Sequence, residues 1–457
     1  MHAKAPATPS SGVVVQAHPE PARIALAGGH TNRVRILVDH SGYDLLNLGD
    51  IAQLQVCVRR LTQLWPNASI GVIANDSDRL REHCPGASLV DSRVSRSALA
   101  KHLPGRIRSG LVQVHKMMAP SAPWHRRSKG HASDTAWPPH VDLLQAVREA
   151  DLVIVSGGGN INDTFWWHGS GVLSVVSLAQ RLGTPTALFG QGIGPLSNRL
   201  LRRQLRSVAR EVKVVGVREG VMSPGVLERA GVVGERVTVT GDDALEIATP
   251  AAVPTTGTGV GLNIRIAAYT GLDSSVARTV RETVIAAAEV RDAPLIALPV
   301  SRYQRSGEID GQEDLAGTIG TNAANIEVCD IRTGEELAEA VRKCRVIVTS
   351  SYHAAVFGLA NGATTLCLVA NPYYDSKFAG LAELFPGACT VVRLDLSDLR
   401  ERLGEAFDRA WSLDENVRHG AFASATEQVL RSRRLYEELR DAIGLGSSVT
   451  GTPAPLG

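Results

Sequence analysis

His353 is the residue that most directly suggests chemistry. It follows the β-branched run Val346-Ile347-Val348, the pair Ser350-Ser351 and Tyr352, and it precedes Ala354, Ala355, Phe357, Leu359 and Ala360, with Asn361-Gly362 behind them. That order predicts a buried parallel strand, a turn, and a compact helix closed by glycine. A histidine in the first helical turn past the carboxyl edge of a strand lies beside N–H groups that favour anions. Its imidazole can also gain or lose a proton near neutral pH. The same residue could equally be packed, bonded only to its neighbours. Ser350 and Ser351 offer two hydroxyl caps for the helix start.

Arg218 stands just past a second strand, residues 213–217, where a guanidinium can clamp a phosphate or carboxylate through two bonds. The alternative is a surface ion pair with Glu219 or Glu228. Asn47, Gly49 and Asp50 cluster behind a strand at 34–38, where no packing need calls for them, although Asp50 could simply cap the helix 51–64. Gly157-Gly158-Gly159-Asn160 follows a strand at 151–155, and Gly190-Gln191-Gly192 follows one at 185–189. Successive glycines let the backbone approach a ligand closely, at a cost in chain entropy. Trp166, Trp167 and His168 could form a stacking wall for a sugar or could belong to the core. Asp242 lies at the end of the strand 237–240.

These residues need a scaffold that gathers strand ends at one place. Strands alternate with helices along the chain, and Val, Ala, Leu and Gly are abundant while aromatics make up 4%. That composition suits α/β layers with close helix–sheet packing. A chain of 457 residues exceeds one ordinary core. Residues 250–258 read as a linker between a Rossmann-like domain at 34–249 and a second at 259–395, followed by a helical segment at 396–444. Glycines and charges at strand ends of both halves imply a cleft between two facing domains. Residues 1–33 and 445–457 read as a disordered leader and tail.

The net charge of +2 points neither to nucleic acid nor to a strongly acidic partner. Six scattered cysteines, with no CxxC spacing, read as the reduced thiols of a cytoplasmic protein, and no metal cluster is apparent. No apolar stretch is long enough to span a bilayer. The segment 93–133 carries nine Lys or Arg and no acidic residue. It reads as a solvated insertion, with two sharper alternatives: a flap over an anionic donor, or a peripheral contact with lipid phosphates at the inner face of the membrane.

Taken together, Asn47-Leu48-Gly49-Asp50, Gly157-Gly158-Gly159-Asn160, Gly190-Gln191-Gly192-Ile193-Gly194-Pro195, Val217-Arg218-Glu219 with Ser223, Gly241-Asp242-Asp243-Ala244, and Ser350-Ser351-Tyr352-His353 with Phe357 resemble the polysaccharide pyruvyl transferase family, in order and over roughly residues 36–380. The resemblance implies a two-domain fold similar to GT-B glycosyltransferases. It implies transfer of an enolpyruvyl-derived group from phosphoenolpyruvate to a saccharide acceptor, such as a lipid-linked glycan, to form a pyruvate ketal, with no cofactor or metal. It places Arg218 and His353 where the donor is bound or activated. Asp50 or Asp242 then becomes the base for a sugar hydroxyl. Asn47, Gly49, Gly158, Gly159, Asn160, Gln191, Gly192, Ser350 and Ser351 line the substrate site. Many members carry an arginine two residues before the histidine, and here that position is Ser351. Further anion-binding charge must therefore come from Arg265, Arg302 or Lys377. Two other functions fit the same residues: a GT-B-type glycosyltransferase using a nucleotide sugar, and a non-catalytic glycan-binding relative.

Overall fold

The structure is a computed structural model that describes residues 33–92, 137, 141–232, 236–266, 271–303, 326–394 and 397–445. The leader up to residue 32, the basic segment 93–133 and the tail from 446 lie outside the described residues. Strands β1 (Arg35–His40), β2 (Ser69–Ala74), β3 (Ala87–Asp91), β4 (Val141–Asp142), β5 (Leu152–Ser156), β6 (Gly158–Ile161), β7 (Thr186–Ile193), β8 (Val215–Val217) and β9 (Val237–Val239) form one sheet. Its order is β4-β3-β2-β1-β5-β7-β8-β9, with β6 beside β7. Strands β10 (Gly259–Asn263), β11 (Leu295–Ala297), β12 (Ile326–Val328), β13 (Cys344–Thr349), β14 (Thr364–Val369) and β15 (Cys389–Arg393) form the second, in the order β12-β11-β10-β13-β14-β15. Among the described residues every pairing of these strands is parallel.

Helices cover the faces of both sheets: α1 (Leu48–Leu64), α2 (Ser77–His83), α3 (Leu143–Glu149), α4 (Trp166–Arg181), α5 (Arg199–Ala209), α6 (Ser223–Arg229) and α7 (Leu245–Ala248) in the first half, then α8 (Ser274–Glu289), α9 (Gly334–Arg342), α10 (Tyr352–Ala360), α11 (Pro372–Leu384), α12 (Leu399–Trp411) and α13 (Glu415–Ile443). Strands β2, β5, β7 and β14 are buried at every position, and β5 accordingly reads as a continuous apolar run, Leu152-Val153-Ile154-Val155, rather than an alternating one. Local caps mark helix starts. Thr333 and Glu336 close a reciprocal capping box on α9, and Asp273 accepts from two N–H groups at the start of α8. The result is an α/β fold with two Rossmann-like sheets.

In each sheet the strand order reverses once near its centre, between β1 and β5 and between β10 and β13. Ligands of open α/β sheets bind at such reversals, outside the carboxyl ends of the strands. The two reversals meet across the domain boundary. The N–H of Leu48 donates to the Val300 carbonyl at 2.9 Å, and the N–H of Arg302 donates to the Leu46 carbonyl at 2.7 Å. One apolar core runs on from β1 and α1 into α9 and α10. Gly334 lies within this core: a β-carbon there would meet Ile247 tightly at 3.2 Å, with Ala52 and Phe357 at ordinary contact distance.

Two glycine-rich stretches depart from the expected loops. Gly190-Gln191-Gly192 continues β7 as far as Ile193, and Gly158 opens the extra strand β6, which runs beside it. Positive φ at Gly157 (37°), Gly158 (121°) and Gly190 (59°) lets the chain kink without leaving the sheet, and the register shifts in both pairings of β7 that flank these residues. The long C-terminal helix α13 returns to the first sheet. There Tyr436 stacks on Phe189 at 3.6 Å, and Asp243 accepts from Arg60 (3.0 Å), Ser432 (2.5 Å) and Tyr436 (3.2 Å). Among the described residues no helix is long and apolar enough to cross a membrane.

Candidate functional site

The first half contributes the N-terminus of α1. Asn47 is its cap, accepting from the N–H of Gly49 at 3.0 Å and of Asp50 at 3.3 Å, so the cap is Asn47 and not Asp50. Asn47 also forms a backbone bridge to Ser301. Asn47 thus both caps α1 and ties its start to the second half. Asp50 is left half-buried on the first turn. Among the described residues its carboxylate accepts no hydrogen bond and makes no ion pair, but its charge acts on His40, Tyr373 and Lys377.

The second half contributes the N-terminus of α10. Ser350 and Ser351 do not cap it as expected. The Ser350 hydroxyl accepts the Arg265 N–H at 2.7 Å, and Ser351 occupies the cap position without a side-chain cap bond, its own N–H donating to Thr349 Oγ1. Strand β10 lies against β13, so the nearest unpaired donor at its end takes the Ser350 oxygen first. The N–H groups of the first turn therefore receive no side-chain acceptor from the capping residue. His353 lies in that turn, 6% exposed, and its ring rests flat against Gly49: a β-carbon on Gly49 would fall 1.9 Å from Cγ and 2.0 Å from Nδ1. Only glycine fits there, which explains the spacing of Asn47-Leu48-Gly49-Asp50.

Between the two helix ends lies a buried triad of ionisable groups, Asp242, Arg218 and His353. Asp242 Oδ2 accepts from Gln53 Nε2 at 2.6 Å and stands 3.7 Å from both His353 Nε2 and the Arg218 guanidinium. At 3.7 Å these are ion-pair separations longer than a hydrogen bond, and His353 Nε2 has no hydrogen-bond partner. Burial pushes the Asp242 carboxyl up, but His353, Arg218 and the Ala244 N–H outweigh it and hold the group below the usual carboxylate range. Asp242 is thus a fixed negative charge.

Arg218 is 3% exposed. Its position depends on the glycines: a β-carbon on Gly159 would lie 2.3 Å from one terminal nitrogen, and one on Gly192 would lie 2.5 Å from Nε. Its guanidinium carbon sits 4.3 Å from the centre of the Tyr352 ring. Glu219 does not pair with it as an ion. Instead Glu219 accepts from the N–H groups of Met222 and Ser223 and from the Ser223 hydroxyl, ordering the start of α6.

Of these groups, Arg218 lines a cleft together with Gly159, Gly192, Tyr373, Ser376 and Lys377, among others. Gly158 approaches Ser41 and Asn160 donates to the Ser41 carbonyl, so both tie β6 to the loop after β1. Gln191 donates to the Phe189 carbonyl inside the sheet. Arg302 is not gathered into the site. Its charge is felt by His83 on α2 and by Asp330, because the backbone bridge to Leu46 turns this segment toward α2. Gln53, Tyr352 and Tyr373 belong to the site although sequence reasoning gave them no role. Gln53 had a signal, being a polar residue one helical turn after Gly49 on the apolar face of α1. Trp166 packs against the core under α4 and α5, and His168 packs against Tyr43 at 4.8 Å, so these two join the core.

Among solved structures, the chain resembles the UDP complex of MnaA from S. aureus (13% identity, 93% of this chain and 100% of that one covered, TM-score 0.56). It also resembles the UDP-GlcNAc 2-epimerase of Neisseria meningitidis bound to UDP-GlcNAc (10%, 90% and 100%, 0.53). A third match is CalG4, the calicheamicin glycosyltransferase (15%, 91% and 100%, 0.51). At these identities the likeness concerns the fold, which is GT-B-like. No curated protein sequence matches the chain. The family model for polysaccharide pyruvyl transferases matches residues 47–371, which span the Asn47 cap, the Arg218–Asp242–His353 triad and the first-half lining of the cleft, and which end before Tyr373, Ser376 and Lys377. The chain belongs to the polysaccharide pyruvyl transferase family and is an enzyme of the transferase class.

Proposed function

We propose that the protein transfers the enolpyruvyl-derived group of phosphoenolpyruvate to two hydroxyls of a saccharide, releasing phosphate and leaving a pyruvate ketal on a glycan or glycolipid. The observation that carries this reading is His353 Nε2: buried, without a hydrogen-bond partner, in the first turn of α10 and 3.7 Å from the Asp242 carboxylate that also pairs with Arg218. An imidazole left unpaired among fixed charges is suited to a proton-transfer partner that arrives with the substrate.

In this reading the phosphate and carboxylate of the donor meet Arg218 and the N–H groups at the start of α10. His353 delivers a proton to the enol methylene, with Asp242 stabilising the positive charge on the ring. C2 then becomes electrophilic. A sugar hydroxyl adds to it and loses its proton to a base, phosphate leaves with the C2–O bond electrons, and a second hydroxyl closes the ketal. Of the two proton balances, one hydroxyl proton replaces that spent on the methylene and the other leaves with phosphate. Asp50 suits the base, being half-buried and unpaired, whereas Asp242 is held by Gln53, Ala244 and the triad.

The test is incubation of purified protein with phosphoenolpyruvate and a panel of glycans, followed by mass spectrometry for a pyruvate-sized gain and by phosphate release. His353→Ala is expected to abolish turnover while keeping the melting profile. Turnover of UDP-sugars with none of phosphoenolpyruvate overturns the reading in favour of glycosyl transfer, and binding of glycans without turnover of either donor points to a non-catalytic relative.

A further inference from the structure

We infer that the pocket between the linker and the start of α13 is a second ligand site, which holds one small oxyanion bearing a hydroxyl, such as hydrogen phosphate, between Arg418 and Asn361. The pocket is lined by Thr256 and Gly257 of the linker, by Asn361 at the end of α10, and by Glu415, Arg418 and His419 of α13, among others. Among the described residues it shares no lining with the cleft.

Arg418 is 3% exposed, yet only one arm of its guanidinium is used. Nη1 donates to the Arg345 carbonyl at 3.0 Å and to the Gly362 carbonyl at 3.3 Å, which fixes the plane of the group. Nε and Nη2 are buried and have no hydrogen-bond partner. Their N–H groups form the side-on edge of the guanidinium, two parallel donors spaced to take both oxygens of a phosphate or carboxylate. Among the described residues no acid fills that edge. Glu415, three residues earlier on α13, accepts from Thr256 at 2.7 Å and faces His419 at 3.9 Å, while the charge of Arg345 acts against Arg418. A guanidinium buried with two unused donors is costly, and an anion at that edge removes the cost.

Asn361 supplies the complement. Its Nδ2 donates to the Ala248 and Phe357 carbonyls, both at 2.9 Å, which leaves Oδ1 buried as an unpartnered acceptor. A ligand that satisfies both residues offers two oxygens to Arg418 and one O–H to Asn361, as hydrogen phosphate does. Asn361 ends the helix whose first turn carries His353, about 12 Å away at 1.5 Å per residue. Its bond to Ala248 reaches the first half, so the anion grips the joint between the halves rather than the reacting groups.

The experiment is calorimetric titration of the full chain with inorganic phosphate at pH 7 and fixed ionic strength. Phosphate can also enter the cleft, so the titration is run in Arg218→Gln, where a saturable one-site isotherm is expected to remain. Arg418→Lys on that background keeps a cation but loses the side-on edge, and it should bind phosphate roughly tenfold or more weakly. Arg418→Gln should abolish the isotherm. Sulfate has the same shape but no proton at pH 7. It leaves Asn361 Oδ1 facing an oxygen, and it should bind roughly tenfold or more weakly than phosphate. Should Arg218→Gln not fold, the phosphate stoichiometry of wild type is expected to exceed that of Arg418→Lys by one site. Loss of all phosphate binding in folded Arg218→Gln, unchanged affinity or stoichiometry in Arg418→Lys, or equal affinity for sulfate overturns the inference.

Discussion

Adding one methyl group at Gly49 tests the domain arrangement and the histidine together. On an unobstructed helix, glycine to alanine stabilises by roughly 0.5–1 kcal/mol. At Gly49 the new carbon would fall 1.9 Å from His353 Cγ, whereas ordinary contact begins at 3.4 Å, so ring and helix must part by about 1.5 Å. His353 cannot yield freely, because it is 6% exposed. Helix α1 cannot yield freely either, because the Leu48 N–H bond to Val300 and the Arg302 N–H bond to Leu46 hold it to the second half. Overpacking of this kind costs about 1–3 kcal/mol. A displacement of more than 1 Å at a reacting group costs on the order of a hundredfold in rate. Gly49→Ala is therefore expected to melt below wild type and to turn over about a hundredfold more slowly, read as phosphate release from phosphoenolpyruvate with an accepted glycan. Gly404→Ala on α12 is the matched control. Nothing lies within 4 Å of its new carbon, so it should melt at or above wild type with unchanged turnover. Wild-type turnover and melting in Gly49→Ala would refute both the stacked histidine and the closed domain arrangement.

Two further outcomes follow from buried charge. Asp243→Ala removes an acceptor shared by Arg60, Ser432 and Tyr436 and strands part of a buried guanidinium, so the urea midpoint should fall by the equivalent of roughly 3 kcal/mol; an unchanged midpoint would contradict the view that Asp243 anchors α13. His40 is pushed down from 6.5 to about 4, chiefly by burial and against the pull of Asp50. It therefore folds neutral, and its contribution is complete above pH 6.5 and lost as pH falls toward 4. Denaturant midpoints should decline through that window in wild type and less steeply in His40→Gln; parallel profiles would show that His40 carries no such linkage.

The order of strands and helices, and much of the candidate site, could be read from the chain. Runs such as Val346-Ile347-Val348 declare a strand buried on both faces, and Thr333 with Glu336 declares a helix start, because both signals are local: they depend on residues within one turn or one strand. Arg218 and His353 were legible for the same reason, since each follows directly on a strand end. Local pattern misjudged residues whose alternatives were equally local. Asn47 and Asp50 both suit a helix cap, and the folded backbone shows that Asn47 is the one used, its side chain accepting from Gly49 and Asp50. Gly190-Gln191-Gly192 has the composition of a loop, yet the pairing of β6 and β8 with β7 keeps it in the sheet.

Which side chains share the cleft was decided by tertiary structure alone. Arg302 and Lys377 have the same formal charge and the same claim from sequence. The backbone bonds that join the two halves turn one toward α2 and leave the other boxed by three tyrosines beside Arg218. Gly49 read as a site residue that no packing need called for, and the fold shows it to be the space that a histidine some three hundred positions later must occupy. Propensity and periodicity act over a few residues, whereas steric exclusion and ion pairing act over a few ångströms, and only the folded chain makes those two distances coincide.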